Sequence, residues 1–192
     1  MSKSHSSHPP IINISGERVA LGPLHRDLTE MTRSWYNDFG VIRSYAPLPR
    51  PITAEQWAVT YEQATTSERD IWFLIFVIDG WRPIGFTGLQ QVDFENRTAE
   101  YAILIGETDA WGKGYGTEVT QLMRDYAFDS LGLNSLHLRV YEYNVGGVRA
   151  YERAGFRHAG RLRQTKSMGG QLWDTILMDC LAAEVESSSR AT

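Results

Sequence analysis

The stretch "AWGKGYGTEV", residues 110–119, holds glycines at every second position, Gly112, Gly114 and Gly116. Glycines this dense weaken a helix or a strand through lost chain entropy, so the stretch fits a loop that something else must approach closely. A helical pattern follows it. The first N–H groups of a helix have no partners within the helix, and the helix dipole is positive there. Glycines let those N–H groups reach an anion without side chains in the way, and phosphate is the anion such a cradle suits. Two familiar phosphate loops do not fit. A Walker A loop needs four residues between its first glycine and Gly-Lys-Ser/Thr, and a dinucleotide fingerprint needs a glycine where Thr117 stands. On the glycines alone, a purely structural tight turn stays open.

The elements that must position this loop can be read from periodicity. "RVALGPL" (18–24) reads as a first strand. "HRDLTEMTRSWYNDF" carries Leu28, Met31 and Trp35 on one helical face. "PLPRPIT" (47–53) breaks the chain, and Thr53 with Gln56 forms a capping-box pattern before a second helix carrying Trp57, Tyr61 and Ala64. "DIWFLIFVIDGWRPIGFTGLQQVDFENRTAEYAILIG" divides into three antiparallel strands, with turns at Asp79-Gly80 and Glu95-Asn96. The first of the three is apolar on both faces, which implies cover on both sides. Beyond the glycines, Val119, Leu122, Met123, Tyr126 and Ala127 form a helical stripe closed by Gly132. A strand (135–141), a short helix ending at Gly155 and two strands joined at Met168-Gly169-Gly170 complete the order β, α, α, βββ, α, β, α, ββ. The β–α–β unit in the middle makes its two strands parallel. The expected fold is therefore α/β (α+β): a mixed sheet of about seven strands with helices on both faces.

Composition narrows the function classes. The 192 residues carry a net charge of −4, which disfavours nucleic acid or an anionic membrane as the main partner. A chain of this length suits one domain. We expect a disordered leader over 1–15, a single domain over 16–183 and a disordered tail over 184–192. The start "MSKSHSSHPP" lacks the apolar core of a signal peptide, and the apolar run 71–78 is too short to span a bilayer, so a cytoplasmic setting is expected. Cys180 is the only cysteine and reads as a buried, inert thiol. The five histidines are scattered, and no Cys/His cluster has metal-ligand spacing, so no metal is expected.

The glycine loop acquires a meaning when joined to "YNVGGVRAYERAGF" (143–156). A strand, a glycine loop and a helix, then a strand ending at Asn144 and a helix carrying Tyr151, together resemble the GNAT N-acetyltransferase superfamily. The branch it is similar to includes ribosomal-protein N-terminal acetyltransferases and spermidine acetyltransferases. The resemblance covers roughly residues 16 to 183 and continues through "GRLRQTKSMGGQLWDTILMDCL". The family's loop pattern is Arg/Gln-x-x-Gly-x-Gly/Ala. Trp111 occupies its first position here, as it often does in this branch.

The resemblance implies a mostly antiparallel sheet whose central parallel pair splays apart, with acetyl-CoA as donor. Ile103, Leu104 and Ile105 would lie beside the pantetheine arm. Trp111, Gly112, Lys113, Gly114, Tyr115, Gly116 and Thr117 would form the pyrophosphate loop, with a solvated surface lysine as the alternative for Lys113. Asn144 would bond the arm or orient the chain, with a strand-end turn role as the alternative.

Acyl transfer to an amine requires a neutral nucleophile, so a base must take a proton directly or through water. Glu100, on the strand leading to the loop, is the chosen base, with Asp93 and Glu95 in reserve. A solvated strand-edge charge and a water-only route are its alternatives. Tyr151 matches the family tyrosine that can protonate the departing thiolate; the alternative is a packed helix tyrosine. The acceptor site is expected on the first two helices and the last hairpin. Trp35, Tyr36, Asn37, Asp38 and Tyr45, with Trp72 and Trp173, could form an aromatic wall suited to a cation, with core packing the stronger reading for Trp35 on its apolar stripe and for Trp72. The acceptor would be a small-molecule amine or a protein N-terminus, and a homodimer is reasonable. A non-catalytic acyl-CoA sensor is the competing function.

Overall fold

A computed structural model describes residues 10–45 and 48–189. Residues 1–9 of the expected leader, Pro47 of the chain break and residues 190–192 of the expected tail lie outside the described residues. Eight strands form one sheet: β1 (Ile14–Ser15), β2 (Val19–Pro23), β3 (Ile71–Val77), β4 (Arg82–Asp93), β5 (Thr98–Ile105), β6 (Ser135–Tyr141), β7 (Arg157–Met168) and β8 (Gln171–Leu181). Their order is β1-β2-β3-β4-β5-β6-β8-β7. Among the described residues, only the pair β5–β6 is parallel.

The helices are α1 (Thr29–Asn37), α2 (Phe39–Ile42), α3 (Ala54–Thr66), α4 (Tyr115–Asp125), α5 (Val145–Arg153) and α6 (Ala182–Ser189). The expected first helix is broken at Asp38, whose extended backbone ends α1 and whose side chain caps α2 by accepting from Gly40 N and Val41 N. The capping box of Thr53 and Gln56 opens α3 as expected.

Two corrections concern the ends. Ile14–Ser15 pairs with β2, so the expected leader is part of the sheet from there, and the strand count rises from seven to eight. Residues 184–189 of the expected tail are helical in α6, where Glu184 pairs with Arg157 and Val185 packs on the core.

Strand alternation sorts the core onto two faces. Phe73, Ile75 and Val77 of β3 face one apolar cluster with Val119 and Met123 of α4. Leu74 and Phe76 face a second with Trp35, Val41, Ile42 and Trp57 from α1, α2 and α3. The two-sided apolarity of β3 thus has its cover on both faces. The close fit on the second face is tight at Gly106, just past β5. A Cβ there would lie 2.1 Å from Trp35 Cδ2 and 2.2 Å from Cγ. Trp35 cannot retreat, since it is 4% exposed and its indole N–H donates to Glu107 Oε1 at 2.8 Å. Gly106→Ala is expected to cost on the order of 3 kcal/mol by overpacking. Thermal unfolding would show this as a fall of roughly 10 °C in Tm.

Candidate functional site

β5 and β6 pair in parallel only over Thr98↔Ser135, Ala99↔Leu136 and Glu100↔His137. Beyond that point β5 runs on to Ile105 and β6 to Tyr141 without pairing. The two strands therefore open into a V in the middle of the sheet. β5 stays bonded to β4 through Gly85↔Ile105, with the Leu104 carbonyl turned toward Gly85, so the backbone groups of Ile103 and Ile105 are the ones that face the V. Unpaired backbone groups there need a partner.

The glycine loop sits at the wide end of β5. Gly112 (φ 71°) and Gly114 (φ 83°) take left-handed conformations that disfavour side chains. Gly114 is the N-cap of α4 and gives it no side-chain cap. Among the described residues, the N–H groups of Tyr115, Gly116 and Thr117 have no acceptor, as the first turn of a helix dictates. A Cβ at Gly112 or Gly116 would meet nothing within 4 Å, so the space before the loop is open. Trp111 anchors the start of the loop, its indole N–H donating to Ile105 O at 2.9 Å. Lys113 is exposed.

A brace not expected from the sequence ties this loop to β2. Arg18 Nη1 donates to Lys113 O at 2.9 Å and its Nε to Glu118 Oε2 at 3.0 Å. Glu118 Oε1 accepts from Arg18 N at 2.8 Å and Val19 N at 3.3 Å. Burial would push the Glu118 carboxyl up, but the backbone N–H groups of Arg18 and Val19 and the Arg18 guanidinium outweigh it and hold the group below the usual range. No local pattern marks Arg18, because its partners lie 95 and 100 residues away.

Behind the V, on the α4–α5 face, Tyr151 stands edge-on to Tyr101, ring centroids 6.2 Å apart, and also packs on Phe156. Tyr101 is itself fixed by Thr120 Oγ1 at 3.0 Å and Thr87 Oγ1 at 3.3 Å. The Tyr151 hydroxyl bonds to no described residue. Burial pushes it up to about 12, so it stays protonated at neutral pH.

Glu100 lies on the other face. Ala99, Tyr101, Ile103 and Ile105 point toward the α4 side, so Glu100 and Leu104 point toward α1–α3. Glu100 Oε1 is 3.3 Å from Arg139 Nε, where the parallel pairing ends. The reserve Asp93 is occupied with a turn, accepting from Asn96 N and Nδ2 at 2.8 Å.

The residues expected at the acceptor end divide in two. Tyr36 and Tyr45 are brought together, edge-on at 6.2 Å, and Tyr45 meets Phe86 at 5.7 Å. Burial drives the Tyr45 hydroxyl far above the tyrosine range, with further pushes from Tyr36, Tyr151 and Glu100. Trp35 is enclosed core under Gly106, as its apolar stripe implied, and does not line the acceptor wall. Asn37 braces the chain, its side chain bonding Ile52 N and O and Arg33 O, and Asp38 caps α2. Both side chains are committed to holding backbone. Trp72 packs edge-on to Phe86. Trp173 joins Tyr143, edge-on at 5.6 Å. Tyr143, next to Asn144 in the quoted motif, spans the two sides by donating to Arg43 O at 2.6 Å. Asn144 caps α5 through Gly147 N at 3.0 Å.

Residues 18–157 match the acetyltransferase (GNAT) domain family. The chain belongs to the GNAT acetyltransferase family. An N-acetyltransferase of Bacillus licheniformis, p20, is 32% identical over 112 residues, which are 58% of this chain and 62% of that protein. A probable N-acetyltransferase of Bacillus subtilis is 29% identical over 77% of this chain and 80% of its own length. The GNAT fold is also seen in solved structures. A spermidine N-acetyltransferase of Vibrio cholerae, in complex with CoA and spermine, superposes with a TM-score of 0.79 at 22% identity, covering 87% of this chain and 97% of that one. A GNAT acetyltransferase of Bacillus anthracis superposes with a TM-score of 0.75 at 19% identity, over 88% and 98% of the two chains.

The family's donor, acetyl-CoA, can be tested against these GNAT features. It needs donors for a pyrophosphate and a slot for an extended amide-bearing arm. Uncapped N–H groups before α4, open space at Gly112 and Gly116, and unpaired β5 backbone in the V supply both. Among the described residues, no group of three His, Cys, Asp or Glu could hold a metal ion, and no helix is long and apolar enough to cross a membrane. Cys180 is buried, and burial pushes its thiol up to about 11, which makes it a poor nucleophile at neutral pH.

Proposed function

We propose that this protein is an acetyl-CoA-dependent N-acetyltransferase acting on a primary amine of a small molecule. The observation that carries the reading is the V between β5 and β6, with a proton donor on one face and a proton acceptor on the other. Bound acetyl-CoA supplies an activated acetyl group as a thioester. The N–H groups of Tyr115, Gly116 and Thr117 would hold its pyrophosphate, and the open backbone of Ile103 and Ile105 would bond the arm and supply an N–H beside the thioester carbonyl. Glu100 takes the proton that the amine must lose, directly or through one water. Tyr151 holds a proton for the departing sulfur. Tyr36 and Tyr45, edge-on to each other on the Glu100 side, offer an aromatic face that favours a cationic amine. The spermidine acetyltransferase neighbours support the same substrate class. The reading includes a cytoplasmic setting, supported by a single buried cysteine, and a homodimer, supported by the exposed outer strand β7.

Thiol release from acetyl-CoA over a panel of polyamines, amino sugars, amino acids and peptides tests this. Release dependent on at least one amine, with an N-acetyl product, is expected. Tight CoA binding with no amine acetylated would replace the enzyme with a non-catalytic acyl-CoA sensor.

A further inference from the structure

The peptide between Lys113 and Gly114 is held from behind. Its carbonyl accepts from Arg18 Nη1 at 2.9 Å. A trans peptide is planar, and its C=O and N–H point in opposite directions. The Gly114 N–H is therefore aimed away from Arg18, and no described residue accepts from it. The left-handed turns at Gly112 and Gly114 flank this peptide. Alternating turns of that kind gather successive N–H groups into an anion-binding concavity.

The brace is itself fixed. The Arg18 backbone N–H fixes the Glu118 carboxylate, and the guanidinium cannot swing away without breaking its Nε bond to that carboxylate. Gly114 makes room for it: a Cβ there would lie 3.2 Å from Arg18 Nη2, tight enough to displace it. The Arg18 guanidinium also lies over the Tyr115 ring, 5.4 Å from its centroid. A charge-assisted bond to a carbonyl polarises the whole peptide and strengthens its N–H as a donor.

We propose that Arg18, locked by Glu118, is a positioning residue for the donor's phosphates: it sets and polarises the Lys113–Gly114 peptide so that the Gly114 N–H points at the pyrophosphate. The assignment rests on the acetyl-CoA reading above and adds the residue just before β2 to a loop otherwise built from one segment. Arg18 acts through the loop, so its effect is confined to donors that carry the pyrophosphate.

The test compares the parent protein with Arg18→Met and Arg18→Lys. Calorimetric titration with CoA needs no acceptor amine. Arg18→Met is expected to weaken CoA about tenfold, the equivalent of one oriented hydrogen bond at 1.4 kcal/mol. Arg18→Lys keeps a cationic donor near the carbonyl and is expected to recover part of that loss. Kinetics with two donors provide the second readout. With acetyl-CoA the KM of Arg18→Met rises about tenfold at little changed kcat. With S-acetylpantetheine, which has no pyrophosphate, kcat/KM stays at the parent value. An equal loss with both donors, or equal CoA affinity in parent and Arg18→Met, overturns the assignment while leaving the donor reading intact. A parent protein that does not bind CoA overturns both. If Arg18→Met does not fold, Arg18→Lys decides by the same comparison of donors.

Discussion

Replacing Tyr151 with phenylalanine is expected to lower kcat about 100- to 1,000-fold while leaving the affinity for acetyl-CoA near the parent value. General acid catalysis contributes on that scale when a group donates its proton in the transition state. Each factor of ten corresponds to about 1.4 kcal/mol of barrier. The split between kcat and binding follows from the packing. Tyr101 and Phe156 hold the aromatic ring, and they hold a phenylalanine ring equally well. What the substitution removes is a hydroxyl that bonds to no described residue and so supports no other part of the fold. The pH dependence has a definite sign. Burial raises the Tyr151 hydroxyl to about 12, so the acid form persists as pH rises through the neutral and mildly alkaline range. Turnover limited by this group should therefore not decline below about pH 10 in the parent. Single-turnover rates across pH, with CoA affinity measured alongside, check both parts. Unchanged turnover in Tyr151→Phe would return Tyr151 to the role of a packed core tyrosine.

Much of this arrangement was legible in the sequence because its signals are local. Gly112 and Gly114 declare themselves by spacing, and they adopt the left-handed turns that spacing implies. The two-sided apolarity of "IWFLIFV" and the parallel pair follow from periodicity and from the β–α–β order. Trp35 is legible as core from its apolar stripe, and the approach of Gly106 shows how tightly it is enclosed. The differences arise where a side chain's task depends on distant chain. Asn37 looked like an acceptor-site polar group until Ile52, fifteen residues on, took both ends of its amide. Arg18 is an ordinary charge at the start of a strand until α4 brings Glu118 and the Lys113 carbonyl against it. The Ile14–Ser15 strand is two residues long, too short to show a period, and it exists because β2 offers an edge. Tyr143 could have been found, since it adjoins Asn144 in the same motif.

Glu100→Gln is expected to produce the second large loss, about 100-fold in kcat/KM for the amine near neutral pH, with a changed pH profile as its signature. Glutamine keeps the size and the hydrogen-bonding capacity of the side chain but cannot take a proton. The β5 register places Glu100 at the last paired position before the V, where β5 leaves β6. Its side chain points to the α1–α3 face, opposite Tyr151, so proton removal and proton delivery occur on separate sides of the sheet. That separation lets one group serve the incoming amine and the other the departing sulfur. Arg139, 3.3 Å from Glu100, holds the carboxylate in place from β6 across the same gap. Arg139→Met, which frees the carboxylate while keeping it ionisable, should therefore cost less than Glu100→Gln. In the parent, Glu100 can take the proton from an amine that is already in the site. In Glu100→Gln the amine must lose its proton to solvent beforehand, so the profile should follow the amine alone and shift when an acceptor of different basicity is used. Parallel profiles for parent and variant would remove Glu100 from proton transfer and leave water as the route by which the amine is made neutral.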